Sequence, residues 1–233
     1  MIDPRKAALI IIDMQHGFVD PSSALCVDGA LSTVPACARA LDQARALAMP
    51  VIHAVREYAA DGSDVEAVRH RTWLEGGKPV SRACASPRTL EEYAPLSPQP
   101  GDRVIVKPRF SAFFGTSLDL ILRRLGVGTV VLIGTTTPNC IRTTCYDALS
   151  LDYNVVLLED CTSSRTPEVQ AANIADMAHI GAHVMECDEF CAQGLANVAD
   201  TVAEAREACE NGTVLCSWRW PRSTTRGSMR SRG

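Results

Sequence analysis

The chain of 233 residues is 46% hydrophobic and 21% charged, and its formal net charge is −4 at pH 7. Acidic and basic residues are interspersed, which argues against nucleic acid or an anionic membrane as a partner and favours a small molecule or a protein. No stretch approaches the ~20 apolar residues of a membrane span, and no cleavage site follows the short apolar run near the N-terminus, so we expect a cytoplasmic protein.

Short apolar runs alternate with longer amphipathic segments, which is typical of βαβ units and a mainly parallel sheet. Six runs predict strands, at 7–12, 51–55, 102–107, 129–134, 154–159 and 182–186. Five segments predict helices, at 31–48, 116–126, 139–151, 167–181 and 187–212. We therefore expect an α/β protein with a six-stranded sheet and one domain over residues 1–212.

Capping residues mark several of these helices. We expect Ser32 or Thr33 to cap the first helix and Thr116 the second, because a hydroxyl oxygen accepts a free N–H of the first turn. Gly126 is placed to end the second helix, and Pro167 stands in the first turn of the fourth.

A long polar connection rich in Gly, Pro and Ser occupies residues 56–100. An ordered connection of this length usually carries function or a subunit contact. Its arginines Arg56, Arg69, Arg71 and Arg82 are candidates for pairing with a substrate carboxylate, and solvated or interface charges are the alternative.

The composition changes again at the C-terminal end. Residues 213–233 contain five arginines and no apolar periodicity, so we expect a disordered basic tail, with a grip on an acidic partner as the alternative. The ten cysteines are scattered and form no CxxC pair of the zinc-site type, so we expect most to be free and buried.

Three chemically different side chains stand at the same end of the predicted strands. Asp13 follows the first strand, Lys107 ends the third, and Cys140 begins the helix after the fourth. The carboxyl ends of parallel strands share one edge, where ligands bind, so we expect these groups to converge. His53 and Arg56, near the end of the second strand, are within reach of the same cleft.

These groups suit nucleophilic catalysis by cysteine. Lys107 and the positive end of a helix are expected to lower the pKa of the Cys140 thiol, and Asp13 would carry a proton between the thiol and a leaving group. Main-chain N–H groups in the turn before Cys140 would receive the oxyanion. Singly, each residue has an ordinary structural explanation, and only the joint pattern favours catalysis.

Three segments resemble the isochorismatase-like hydrolase superfamily, whose cysteine hydrolases include N-carbamoylsarcosine amidohydrolase, ureidoacrylate amidohydrolase, biuret hydrolase and nicotinamidase. The segments are "ALIIIDMQHGFVD", "VIVKPRFSAFFGTSLD" and "VVLIGTTTPNCIRTTCYDALSLDYNVVLLEDCTSS". Their order and spacing agree with the family over residues from about 5 to 190.

The resemblance implies roles for individual residues. Cys140 would be the nucleophile, Asp13 the base, and Lys107 the group that stabilises the thiolate. A cis peptide bond would join Thr135 and Thr136, and the N–H groups of Thr136 and Cys140 would form the oxyanion hole. The implied fold is a doubly wound three-layer sandwich, assembled as a homodimer or homotetramer.

The sequence also departs from part of the family. Nicotinamidases carry an Asp-x-His metal site after the second strand, and no such motif follows here. His53 lies within the strand, and His179 and His183 lie far from the predicted edge. We therefore expect no metal and no cofactor.

The segment around Phe110 and the loop bearing Arg56 look closer to the ureido and carbamoyl amidohydrolases, so the expected substrate is a small linear amide, carbamoyl or ureido compound. Phe18, Arg56, Phe110 and Asn139 are the candidate substrate contacts, and Phe113 is a candidate for the pocket wall or for the core.

Two alternatives to this amidohydrolase hypothesis remain. The chain could be an isochorismatase-type hydrolase of another small molecule in which Cys140 is idle, or a non-catalytic binding or assembly protein on the same fold.

Overall fold

Six strands form one parallel sheet in the computed structural model, which describes residues 2–211. The strands are β1 (Ala7–Ile12), β2 (Val51–Val55), β3 (Arg103–Val106), β4 (Thr129–Thr135), β5 (Asn154–Ser163) and β6 (His183–Met185). Their order across the sheet is β3-β2-β1-β4-β5-β6, and every neighbouring pair is parallel. The predicted α/β class and the six strands are confirmed.

The described residues also form helices. They are α1 (His16–Val19), α2 (Ala30–Ala46), α3 (His70–Glu75), α4 (Leu118–Arg124), α5 (Arg142–Ser150), α6 (Pro167–His179), α7 (Cys187–Gln193) and α8 (Thr201–Glu210). Side chains of α2 and α7 share one core with one face of the sheet, and side chains of α4, α5 and α6 share a second core with the other face. The sheet is therefore doubly wound.

The central strands β1 and β4 are buried along their whole length. Their sequences are unbroken apolar runs because a strand covered on both faces has no solvent-facing positions for polar residues. The chain leaves β1 toward β2 on one side and enters β4 on the other, so the topological switch point lies between them.

The start of α2 differs from the prediction. The helix runs over Ala30–Ala46 rather than 31–48, and its N-cap is Gly29. The hydroxyls of Ser32 and Thr33 do not cap it, because they donate to the carbonyls of Gly29 and Ala30, at 2.8 and 2.9 Å. A hydroxyl inside the first turn bonds backward to a carbonyl as readily as it caps an N–H.

The predicted cap of α4 is one residue early. The helix begins at Leu118 with Ser117 as its N-cap residue. Thr116 still accepts the N–H of Leu118 through Oγ1 at 3.1 Å, while the same hydroxyl donates to the carbonyl of Ala112 at 2.6 Å. Gly126 follows the helix with φ 69°, as expected of a residue that ends it.

Two predicted helices are interrupted. The segment 139–151 begins within a wide turn of π type over Thr137–Ile141, and α5 begins only at Arg142. The segment 187–212 is broken after α7 at Gly194, whose φ of 59° takes the backbone out of the helix. The local spacing of apolar residues does not predict either change of backbone geometry.

The chain divides into two compact units, Met1–Asp200 and Thr201–Gly233. The first unit contains the whole sheet and α1 to α7, and the second contains α8. The predicted tail at 213–233 lies outside the described residues. Within residues 2–211, no helix is both long enough and apolar enough to cross a membrane.

Eight cysteines of the described part of the chain are free thiols, and five of these are buried. The five buried cysteines are distributed over both cores. The free, buried state agrees with their treatment as small hydrophobic residues.

Gly134 allows β4 to pass very close to β1. Its φ is 116°, and a Cβ at this position would lie 2.1 Å from the carbonyl oxygen of Ile12. Only glycine therefore fits at the end of the strand that leads into the Cys140 turn.

Gly134→Ala is expected to lower the free energy of unfolding by more than about 3 kcal/mol, because a positive φ and a backbone clash act together. Urea denaturation measures the loss. Gly126→Ala is the matched control, since its φ is also positive but its Cβ would meet no atom within 4 Å. We expect the control to lose about 1–2 kcal/mol, and equal losses at the two positions would contradict the role of the close contact.

Candidate active site

Asp13 is the first residue after β1. Its φ of 53° is unusual for a residue other than glycine, and its N–H donates to the carbonyl of Ala54 at 3.0 Å. The side chain is 1% exposed. It stands beside β4, at the switch point of the sheet, where an open α/β sheet forms its ligand-binding crevice.

Lys107 directly follows β3 and is fully buried. Its backbone N–H donates to Val55 O at 2.9 Å, which extends the pairing of β2 and β3 by one bond. Its Nζ donates to Asp13 Oδ2 at 2.7 Å and lies 3.5 Å from Cys140 Sγ. One ammonium group therefore bridges the other two predicted residues.

Cys140 lies in the wide helical turn that follows β4, and it is 6% exposed. The peptide bond between Thr135 and Thr136 is cis. Thr136 and Thr137 each donate a hydroxyl hydrogen bond to Ser163 O at 3.0 Å, and Ser163 Oγ donates to Thr135 Oγ1 at 2.8 Å. The three threonines thereby fasten the Cys140 turn to the end of β5.

Burial raises the pKa of the Cys140 thiol to about 11, and the negative charge of Asp13 adds to this effect. The charges of Lys107 and Arg56 oppose it but do not overcome it. The expectation of a lowered pKa was wrong, because complete burial penalises the thiolate more than one neighbouring ammonium stabilises it. The resting side chain is therefore the neutral thiol.

The second oxygen of Asp13 is available to that thiol. Asp13 Oδ2 is occupied by Lys107, whereas Oδ1 is buried and has no hydrogen-bond partner among the described residues. An unpartnered buried carboxylate oxygen is costly and is often found where a ligand or a proton transfer completes the site.

A cavity of about 350 Å³ opens onto this group, and Asp13 and Cys140 are part of its wall. All four predicted substrate contacts line it: Phe18, Arg56, Phe110 and Asn139. Thr136, the predicted oxyanion-hole residue, lines it as well. The predicted site residues other than Lys107 thus line one cavity, and Lys107 contacts two of them, Asp13 and Cys140.

Arg56 is 2% exposed and is held rigidly. Its Nη1 donates to Glu66 Oε1 at 2.7 Å and to Tyr58 Oη at 2.8 Å. Gln15 brackets its backbone, accepting its N–H at 2.8 Å and donating to its carbonyl at 2.9 Å. Burial by itself would lower the pKa of Arg56, but negative charge, that of Asp13 foremost, raises it, so the side chain stays a cation.

The acidic partner of Arg56 is ionised for a related reason. Burial tends to raise the pKa of Glu66, but the hydrogen bonds from Tyr58 and Arg56 outweigh burial and lower it. Arg56 and Glu66 therefore form a partly buried ion pair at the cavity wall.

The other arginines of the polar connection divide into two kinds. Arg71 pairs with Glu75 and Arg82 with Glu57, at 2.8 and 2.7 Å, on the exposed surface. These two are the surface charges of the alternative interpretation. Arg69 instead lines the cavity, with its guanidinium 5.1 Å from the centre of the Phe110 ring.

Two residues predicted near the cleft lie elsewhere. His53 is buried and is hydrogen-bonded to Glu92 at 2.9 Å and to Asp102 at 3.3 Å, because its strand position turns it away from the carboxyl edge. Phe113 packs against Tyr153, with ring centres 5.8 Å apart, and belongs to the core.

Part of the cavity wall was missed in the sequence. Tyr58, Val65 and Trp73 come from the polar connection and line the cavity together with Arg69. Tyr58, Val65 and Trp73 also form a small apolar cluster of their own with Val80. Isolated large apolar residues in an otherwise polar stretch were the available signal.

One group of described residues has donor atoms close enough to share a metal ion. Those of Asp160, Cys161 and Cys187 lie within 4.8 Å of one another. None of the three lines the cavity.

The comparison with curated proteins finds two informative relatives. A protein of Arabidopsis thaliana named a probable inactive nicotinamidase is 41% identical over 179 residues, which cover 76% of this chain and 90% of that protein. A ureidoacrylate amidohydrolase of Agrobacterium fabrum is 28% identical over 207 residues, which cover 82% of this chain and 90% of that protein.

Solved structures and a family model agree with each other. The crystal structure of an isochorismatase family protein from Desulfovibrio vulgaris is similar with a TM-score of 0.75 and 47% identity, over 80% of this chain and 96% of that one. The model of the isochorismatase domain matches residues 7–189. The resemblance of the three sequence segments is thereby confirmed, and the chain belongs to the isochorismatase family.

Proposed function

We propose that the protein is a metal-independent cysteine hydrolase that cleaves the C–N bond of a small linear amide, carbamoyl or ureido compound through a thioester. The supporting observation is that the buried Lys107 Nζ contacts both Asp13 Oδ2 and Cys140 Sγ, and that Asp13 and Cys140 line a cavity of about 350 Å³. A nucleophile and a base then face one cavity, with a fixed cation in contact with both.

The first half of the reaction uses the neutral thiol. Asp13 takes the proton of Cys140 as the sulfur attacks the carbonyl carbon, and the ammonium group of Lys107 stabilises the developing thiolate. The N–H groups of Thr136 and Cys140 receive the oxyanion. Asp13 then returns the proton to the departing nitrogen as the C–N bond breaks, which leaves the carbonyl group on Cys140 as a thioester for an amide and as the corresponding thiocarbamate for a carbamoyl or ureido compound.

The second half reverses the roles. Water adds to the thioester carbonyl and gives a proton to Asp13, and the C–S bond breaks as that proton returns to the sulfur. Asp13 lines the cavity and has one oxygen without a partner among the described residues, which suits it to both proton transfers, because a general base has to lie within hydrogen-bond reach of the proton it moves.

The relatives bear on the substrate in different ways. The name of the Agrobacterium relative supports chemistry on a ureido compound. The Arabidopsis relative is named for inactivity as a nicotinamidase, which agrees with the absence here of an Asp-x-His motif after β2. That name also keeps a non-catalytic binding protein as the second candidate. Isochorismatase-type chemistry, a homodimer or homotetramer and a cytoplasmic location stay predictions.

Cys140→Ala is expected to lower ammonia release at least about 10³-fold on any active member of a panel of N-carbamoyl amino acids, ureidoacrylate and linear amides. The loss follows from removal of the atom that bonds to the carbonyl. Cys145→Ala is the matched control, because Cys145 is a buried free thiol five residues further along the chain that does not line the cavity. Unchanged release in Cys140→Ala, or no release by the wild type, would reject the proposal.

The pH dependence of alkylation tests the role of Asp13. With a pKa of about 11, the Cys140 thiolate fraction and hence its iodoacetamide labelling should rise about tenfold per pH unit from pH 7 to 10. Asp13→Asn removes a charge that raises this pKa, so the variant should label faster than the wild type at pH 8 and yet release no ammonia.

Peptide mass mapping reports the labelling at Cys140, and circular dichroism checks that the variant is folded. Slower labelling of Asp13→Asn, or a wild-type rate that is flat above pH 8, would be inconsistent with a buried neutral thiol beside a carboxylate.

A further inference from the structure

The charged side chains of the cavity wall are Asp13, Arg56 and Arg69. Two of them are neutralised inside the protein: Asp13 by Lys107, and Arg56 by Glu66, each at 2.7 Å. Each pair is therefore neutral as a whole, and only Asp13 Oδ1 and Arg56 Nε are buried atoms of these pairs without a hydrogen-bond partner among the described residues.

Arg69 is different from these two. Among the residues that the structure describes, no carboxylate lies within 4.0 Å of its guanidinium, and no side-chain hydrogen bond engages it. Its backbone is nevertheless fixed at the start of α3, since its N–H donates to Glu66 O at 2.8 Å and its carbonyl accepts from Trp73 at 2.9 Å. The free cation is therefore carried on an ordered support.

The remaining titratable groups of the wall carry no charge at neutral pH. Burial raises the pKa of Tyr58 and that of Cys140. With two neutralised pairs, two neutral groups and Arg69, the cavity has a net charge of about +1, which is a complementary environment for one anionic group.

The residues that line the cavity differ in their exposure to solvent. Cys140, at 6% exposed, lies in its interior, whereas Val68, next to Arg69, is 93% exposed and marks its opening. The Phe110 ring is close to both guanidiniums, with its centre 5.6 Å from that of Arg56 and 5.1 Å from that of Arg69. Cys140, Phe110 and Arg69 line the same cavity, so one ligand bound there can contact the thiol, the ring and the Arg69 guanidinium.

We propose that Arg69 binds the carboxylate of the substrate, so that the preferred substrates are N-carbamoyl or ureido acids with one anionic carboxylate rather than neutral amides. A guanidinium presents two parallel N–H donors that match a carboxylate. The proposal rests on the proposed function for the chemistry at Cys140, while the binding role of Arg69 stands without it.

Ammonia release from N-carbamoylglycine and from its uncharged methyl ester tests the kinetic consequence. Arg69→Gln should lower kcat/KM for the acid about 10- to 100-fold, mainly through KM, and should change the ester less than about twofold. Arg69→Lys should recover part of the loss. Arg71→Gln is the matched control, because Arg71 follows on the same short helix but is exposed and pairs with Glu75. It should change neither substrate.

A binding measurement separates this proposal from the proposed function. Calorimetry on Cys140→Ala should show N-carbamoylglycine binding about 10- to 100-fold more tightly than its methyl ester, and adding Arg69→Gln should remove that preference. This result would support carboxylate recognition even if the wild type released no ammonia. Equal losses for acid and ester in Arg69→Gln, or equal binding of both to Cys140→Ala, would overturn it.

Discussion

The buried ion pair of Lys107 and Asp13 is the interaction on which the site depends. Both side chains are at most 1% exposed, and each would carry a large desolvation cost without the other. They come from residues 94 positions apart in the chain, so the pair forms only when β3, β2 and β1 are assembled in register. Formation of the site therefore depends on correct assembly of the sheet.

The same pair determines how Cys140 can react. The ammonium group supports a thiolate, but it is already engaged with a carboxylate that opposes one, and the sulfur is withdrawn from water. The result is a neutral thiol beside a carboxylate oxygen that has no partner among the described residues. Such an arrangement favours proton transfer coupled to attack over a permanently ionised nucleophile.

The turn that contains Cys140 is held in place by hydrogen bonds to the neighbouring strand β5. Gly134 lets β4 run against β1, and the hydroxyls of Thr135, Thr136 and Thr137 reach Ser163 at the end of β5. Strand β5 extends to Ser163 for this contact, four residues beyond its predicted end. The three consecutive threonines thus have a positional explanation: each ties the turn to the neighbouring strand.

Sequence alone determined the α/β class, the six strands and the meeting of Asp13, Lys107 and Cys140, because burial on both faces leaves unbroken apolar runs and parallel strands end at one edge. It did not determine the helix starts, the break at Gly194 or the direction of the Cys140 pKa shift. These features depend on which hydrogen bonds form and on how deeply a side chain is buried, and the local spacing of apolar residues predicts neither. The tertiary structure alone distinguished the arginines, since only folding decides which charges find partners. Arg71 and Arg82 pair with carboxylates at the surface, whereas Arg69 lines the cavity and has no carboxylate partner among the described residues.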